Sequence, residues 1–205
     1  MQGVGDNRLA QIAAALQWDR GRWVWLLGIL LLLIAVLVVG DSATLLMRYD
    51  RGAIAAGGWW RLLTAHLVHL DAHHLILNEM GVVLVWSLFA QDFDAVEWCI
   101  IVAAGALAIS CGLWWLSPDV IWYVGASGVL HTVMAAGAAQ HFLTREWDRW
   151  ILVLGLCAKL VYERLAIQPE PLIVTDAHWY GALAGFVAGA ALTCRIVIIR
   201  RRLRS

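Results

Sequence analysis

Trp23-Val24-Trp25-Leu26-Leu27-Gly28-Ile29-Leu30-Leu31-Leu32-Leu33-Ile34-Ala35-Val36-Leu37-Val38-Val39-Gly40 decides the fold class. This run carries no charge, and its length approaches the roughly 20 apolar residues that carry a helix across a bilayer. Apolar stretches recur at about 73–90, 96–116, 127–143, 149–166 and 178–199. The expected fold is therefore an all-α membrane protein, a bundle of six transmembrane helices. Composition agrees. Hydrophobic residues make up 62% of the chain, against roughly 45–50% in soluble domains. Many of the 13 tryptophans fall at expected span ends, where aromatic belts sit.

Three segments follow from this reading. Residues 1–22 hold Asp6, Arg8, Asp19, Arg20 and Arg22 ahead of any long apolar run and read as a cytoplasmic N-terminal segment, without the early apolar core of a signal peptide. Residues 23–199 form the membrane domain, and 200–205 a basic cytoplasmic tail. The connection over 41–72 is long enough to expect a function or partial helix. Arg8, Arg20, Arg22, Arg145, Arg149, Arg195, the Arg200–Arg202 run and Arg204 outnumber Arg48, Arg51, Arg61 and Arg164 on the other side. By the positive-inside rule both termini are cytoplasmic.

Zero net charge gives no footprint for nucleic acid. Cys99, Cys111, Cys157 and Cys194 lack CxxC spacing and read as small buried hydrophobes.

On this topology the second, fourth and sixth helices run from outside to inside. His69 and His74 precede or open the second, Ser127 opens the fourth and His178 opens the sixth. The polar groups thus converge at one outer depth. Ser127 lies in Gly125-Ala126-Ser127-Gly128 and His178 in Ala177-His178-Trp179-Tyr180-Gly181. A serine hydroxyl attacks only when a base takes its proton, and imidazole is suited to that at neutral pH. Asp176 stands two residues from His178, and such neighbours do not share a helix face. The expectation is a Ser–His dyad without a carboxylate, with Asp176 at a helix end. Gly181, Gly185 and Gly189, facing small residues of the fourth helix such as Ala135–Ala139, allow close backbone approach. Gly125 and Gly128 are read as packing glycines beside the serine. His74 and Asn78 share a face and, with the Ser127 amide, are candidate oxyanion donors.

The residues leave alternatives. His66, His69 and His73 fall at helical spacing, with Asp71 near, so a zinc site competes with catalysis and with plain structural hydrogen bonding. His131, one turn after Ser127, is a possible site residue. Lys159 and Glu163, four apart, read as a structural pair. His141 reads as interfacial. Arg61 is expected to bind lipid phosphate or brace the long first loop.

These motifs resemble those of the rhomboid intramembrane serine proteases, over about Arg61 to Gly189. Arg61-x-x-Thr64 with His69-x4-His74-x3-Asn78, then Gly125-x-Ser127-Gly128, then Ala177-His178-x-x-Gly181-x-x-x-Gly185 follow the family's order. The resemblance implies a six-helix rhomboid-like fold with a water-filled site open to the outside. It implies Ser127 as nucleophile, His178 as base, His74 and Asn78 as oxyanion donors and His69 as an ordering residue. It implies neither metal nor cofactor. Ser127-Gly128-Val129-Leu130-His131 and Thr175-Asp176-Ala177-His178-x-Tyr180-Gly181-Ala182 look like the rhombosortase branch, while Gln91-Asp92-Phe93-Asp94 departs from typical bacterial rhomboids. That branch implies a protease of the bacterial inner membrane with its site open to the periplasm. Its substrates would be exported proteins ending in a GlyGly-CTERM signal: a Gly-rich motif, an apolar span and a basic tail. A general rhomboid protease of single-span proteins and a non-catalytic rhomboid-like binder are the alternatives.

Overall fold

The computed structural model describes residues 20–144, 150–165 and 174–202. The expected N-terminal segment, apart from its last residues, and the end of the basic tail lie outside the described residues, as do Arg145 and Arg149. Helices α1 (Arg20–Val39), α2 (Asp41–Met47), α3 (Arg51–Ala55), α4 (Arg61–Thr64), α5 (Ala72–Phe89), α6 (Ala95–Leu116), α7 (Ser127–Thr144), α8 (Trp150–Leu165) and α9 (Thr175–Arg202) follow one another. Strand β1 (Tyr49–Asp50) precedes α3, and β2 (Trp122–Tyr123) precedes α7. The protein is a helical membrane protein. Six expected spans become nine helices among the described residues, because α2, α3 and α4 fold the 41–72 connection into short helical turns. By length and composition, Arg22–Val39, Ala72–Phe89 and Ala95–Leu116 can each cross a membrane.

Local sequence sets where the helices begin. The Asp71 carboxylate accepts from the His74 amide at 2.8 Å and caps α5. Asp94 and Glu97 form a reciprocal capping box that starts α6. The departure at Gln91–Asp94 thus ends one helix and caps the next. Asp92 adds a contact to α7, where His141 Nε2 meets its carboxylate at 2.9 Å. His141 is buried within the protein.

The first connection is held down by two cations, one bound to the end of α6 and one within the connection itself. Arg51 donates to the carbonyls of Leu113 at 2.6 Å, Trp114 at 3.0 Å and Ser117 at 3.1 Å, satisfying orphan acceptors at the end of α6. Arg61 donates to Leu45 O at 2.8 Å and Arg48 O at 3.0 Å, and Thr64 donates to Met47 O at 2.7 Å. Arg61 therefore braces the loop. β1 pairs antiparallel with β2, Tyr49 opposite Tyr123 and Asp50 opposite Trp122. A core of Tyr49, Ile54, Ala65, Ile109, Leu113, Tyr123 and Ala177 lies beneath this pairing. It ties the first connection to α6 and to the start of α9, so the segment leading into Ser127 is fixed from both sides.

α9 packs more extensively on α7 than on any other element. A Cβ at Gly181 would meet Gly128 O, one at Gly185 would meet Thr132 O, and one at Gly189 would meet Ala136 O. The Gly-x3-Gly-x3-Gly face thus seats α9 directly on the α7 backbone, as small-residue faces do in membranes. The outer faces stay apolar: Val24, Trp25, Leu31 and Val38 of α1 are exposed. Cys99, Cys157 and Cys194 share such outward faces, so they are not buried as expected. In a bilayer, lipid rather than protein covers small apolar side chains there.

Candidate active site

Ser127 begins α7, directly after a tight turn. Gly125 takes φ +121°, a left-handed region open to glycine, and its amide donates to Ala65 O at 3.1 Å. A Cβ on it would also stand 2.9 Å from His74 Cε1 and 3.0 Å from Nε2. Gly125 is therefore a turn glycine that lets His74 approach, not a helix-packing glycine. Gly128 does pack: its Cβ would come 3.1 Å from Ala177 O. That contact joins the first turns of α7 and α9.

The consequence is a short serine–histidine contact. His178 Nε2 lies 2.9 Å from Ser127 Oγ. His178 is buried and Ser127 half-buried. For Nε2 to accept the serine proton, the ring proton must sit on Nδ1. That atom faces Glu163 Oε2 at 2.9 Å. The expectation of a pair without a carboxylate is corrected here. Asp176 indeed does not serve: it accepts from Ser117 Oγ at 2.7 Å and pairs with Arg164 at 3.6 Å, in the first turn of α9. The carboxylate comes from α8 instead.

Glu163 also pairs with Lys159 one turn earlier. Lys159 Nζ reaches His131 Nε2 at 2.9 Å. His131 Nδ1 lies 2.7 Å from the Ser127 carbonyl, and its ring stacks on His178 with centroids 4.2 Å apart and planes 13° from parallel. His131 thus belongs to the site. The Lys159–Glu163 pair is present, but it faces this cluster. The signal for Glu163 was available in the topology: it stands near the end of a helix running opposite to α7 and α9, hence at the depth of Ser127 and His178.

The opposite wall is α5. His74 Nδ1 accepts from the Leu70 amide at 3.4 Å, which leaves the proton of a neutral ring on Nε2, the atom against Gly125. Asn78 is buried, and its amide donates to His74 O at 2.9 Å. His69 is buried with its ring edge-on to His74 at 5.2 Å, and neither of its ring nitrogens has a hydrogen-bond partner among the described residues. A buried polar pair of that kind is a seat for water.

The zinc grouping weighed as an alternative, His66, His69 and His73, is not assembled. Residues 65–71 are not helical: His66 Nε2 meets Ala106 O at 3.1 Å inside the fold, while His73 is exposed. Another group could hold a cation. Ligand atoms of His131, Glu163 and His178 lie within 4.8 Å of one another. The Lys159 ammonium already contacts two of the three.

A half-buried serine and a buried imidazole at the joined ends of two helices define a hydrolase-like site inside a helical membrane protein. The model of the rhomboid domain matches residues 56–197. YdcA of Bacillus subtilis, described as a candidate rhomboid protease, is 29% identical over 144 residues, covering 68% of this chain and 69% of that protein. Rv1337, an uncharacterised protein of Mycobacterium tuberculosis, is 24% identical over 161 residues, covering 72% of this chain and 63% of its own length. The chain belongs to the rhomboid family and is a rhomboid-type intramembrane serine protease.

Proposed function

We propose that Ser127 is the nucleophile and His178 the general base of this protease. The observation that carries the reading is the 2.9 Å approach of His178 Nε2 to Ser127 Oγ. Ser127 Oγ attacks the scissile carbonyl while its proton passes to Nε2; His178 then returns that proton to the leaving amine, and water hydrolyses the acyl-enzyme by the same route reversed. His74 Nε2–H, the Asn78 amide and the Ser127 backbone N–H are the oxyanion donors, and removing one such donor typically costs about 10²–10³ in kcat. Asn78 must turn from His74 O to serve. His69 orders the site and its water. Six helices span the bacterial inner membrane, both termini are cytoplasmic, and the site opens to the periplasm.

The substrates proposed are exported proteins carrying a GlyGly-CTERM tail: a Gly-rich motif, an apolar span and a basic cluster. The reading is supported by the rhombosortase-like runs around Ser127 and His178 and by His131 standing against His178. The likeness to YdcA favours a second reading, a broader protease of single-span proteins. Co-expression with a tagged GlyGly-CTERM protein is expected to release the shortened product, and Ser127→Ala to abolish it. Unchanged processing in that variant refutes the site. Equal cleavage of single-span proteins without the Gly-rich tail selects the broader reading.

A further inference from the structure

We propose that Glu163 is a positioning residue for His178, so that the site works as a serine–histidine–glutamate triad whose carboxylate is delivered by a separate membrane helix. The inference rests on the reading of Ser127 and His178 as nucleophile and base.

Each oxygen of Glu163 meets a different side chain. Oε1 meets Lys159, four residues earlier on the same helix, and Oε2 meets His178 Nδ1 at 2.9 Å. A carboxylate retained only to pair with Lys159 has no need of the second contact. The donors and acceptors also agree around a closed ring. Ser127 Oγ donates to His178 Nε2, and Nδ1–H donates to Glu163. Lys159 donates to Glu163 and to His131 Nε2, and His131 Nδ1–H donates to the Ser127 carbonyl. These contacts are mutually compatible, and each ring is held in a single neutral tautomer.

Chemistry explains why this arrangement helps. When His178 takes the serine proton, a cation forms on a buried ring. A carboxylate at hydrogen-bond distance stabilises that imidazolium and holds the ring in the productive tautomer. A lone carboxylate among apolar helices is costly. Lys159 offsets its charge, and its long stem lets the ammonium reach from the helix surface. His131 holds Lys159 from the far side and covers one face of His178.

The test uses the full-length protein in proteoliposomes with a cleavable membrane-tail substrate, and ¹⁵N spectra of the His178 ring. Wild type is expected to carry the ring proton on Nδ1. In Glu163→Gln the amide N–H₂ can donate to Nδ1 and drive the proton to Nε2. kcat is then expected to fall steeply, by up to about 10⁴, the loss that amide substitution of the orienting carboxylate causes in a soluble serine protease, with KM nearly unchanged. Glu163→Asp is expected to recover part of the rate and the Nδ1 proton. Glu163→Gln retaining kcat within about threefold, with Ser127→Ala inactive, overturns the triad and leaves the nucleophile intact. Activity surviving in Ser127→Ala overturns the underlying reading instead. If Glu163→Gln does not fold, the wild-type spectrum decides: a His178 proton on Nε2 refutes the role, and one on Nδ1 sustains it.

Discussion

Gly185→Ala adds one methyl group at the point where α9 sits on α7. Its Cβ would overlap Thr132 O and lie 2.6 Å from Thr132 C and 2.8 Å from Thr132 Cα. Those atoms are backbone, so no rotamer change relieves the clash. The two carbon contacts are 0.6–0.8 Å short of 3.4 Å, where ordinary contact begins. The oxygen requires more. If the helices part by that amount along their length, the 2.9 Å Ser127–His178 contact moves beyond hydrogen-bond range. Overpacking of this kind costs about 1–3 kcal/mol. Alanine's better helix propensity returns up to about 1 kcal/mol. Stability should therefore fall modestly while rate falls steeply, since a misplacement near 1 Å is worth about 10² in rate. Gly155→Ala on α8 is the control, because its Cβ meets nothing within 4 Å. The assay is initial cleavage rate beside thermal unfolding in the same detergent. Gly155→Ala should match wild type. A Gly185→Ala enzyme with wild-type kcat would refute the claim that this contact sets the geometry of Ser127 and His178.

Two further outcomes test the frame around the site. Arg51→Ala leaves the carbonyls of Leu113, Trp114 and Ser117 without their donor and should destabilise the protein by about 1–3 kcal/mol; thermal unfolding checks it, and an unchanged Tm would refute the capping role. Asp50 caps α3 by accepting from the Ala53 amide at 3.0 Å, and with Arg48 at 2.9 Å this holds its carboxyl below the usual range despite partial burial. The stabilisation is complete above its unfolded value of about 4 and is lost as pH falls through the lower folded value. Asp50→Asn should therefore lose less stability than wild type on acidification below about pH 4, and parallel acid-unfolding curves would exclude the link.

Element positions were largely legible because lipid imposes a simple rule. A spanning segment must be continuous and apolar, and Arg22–Val39, Ala72–Phe89 and Ala95–Leu116, the described helices long and apolar enough to span, fall on apolar stretches of the sequence. Within the first connection that rule fails. Residues 41–71 are shaped by tertiary contacts, such as Arg51 with α6 and Arg61 folding back on Leu45. The His66, His69 and His73 spacing looked helical, yet the chain turns there because Asp71 caps a new helix at Ala72. Gly125 carried a motif signal, but whether it served a turn or a helix depended on its φ.

The sequence alone determined a helical membrane protein, its nucleophile and base candidates, and the glycine face of α9 that brings them close. Those signals lie in continuous apolar runs and in residues repeated along one helix, both of which are local. Tertiary structure alone decided which carboxylate meets His178. Asp176 is nearer in sequence, but helix geometry turns it toward Ser117 and Arg164. Glu163 is 15 residues away, yet 2.9 Å from the ring, because α8 returns alongside α7 and α9. A hydrogen bond depends on the angle and height at which two helices pack, and no spacing along one chain encodes that.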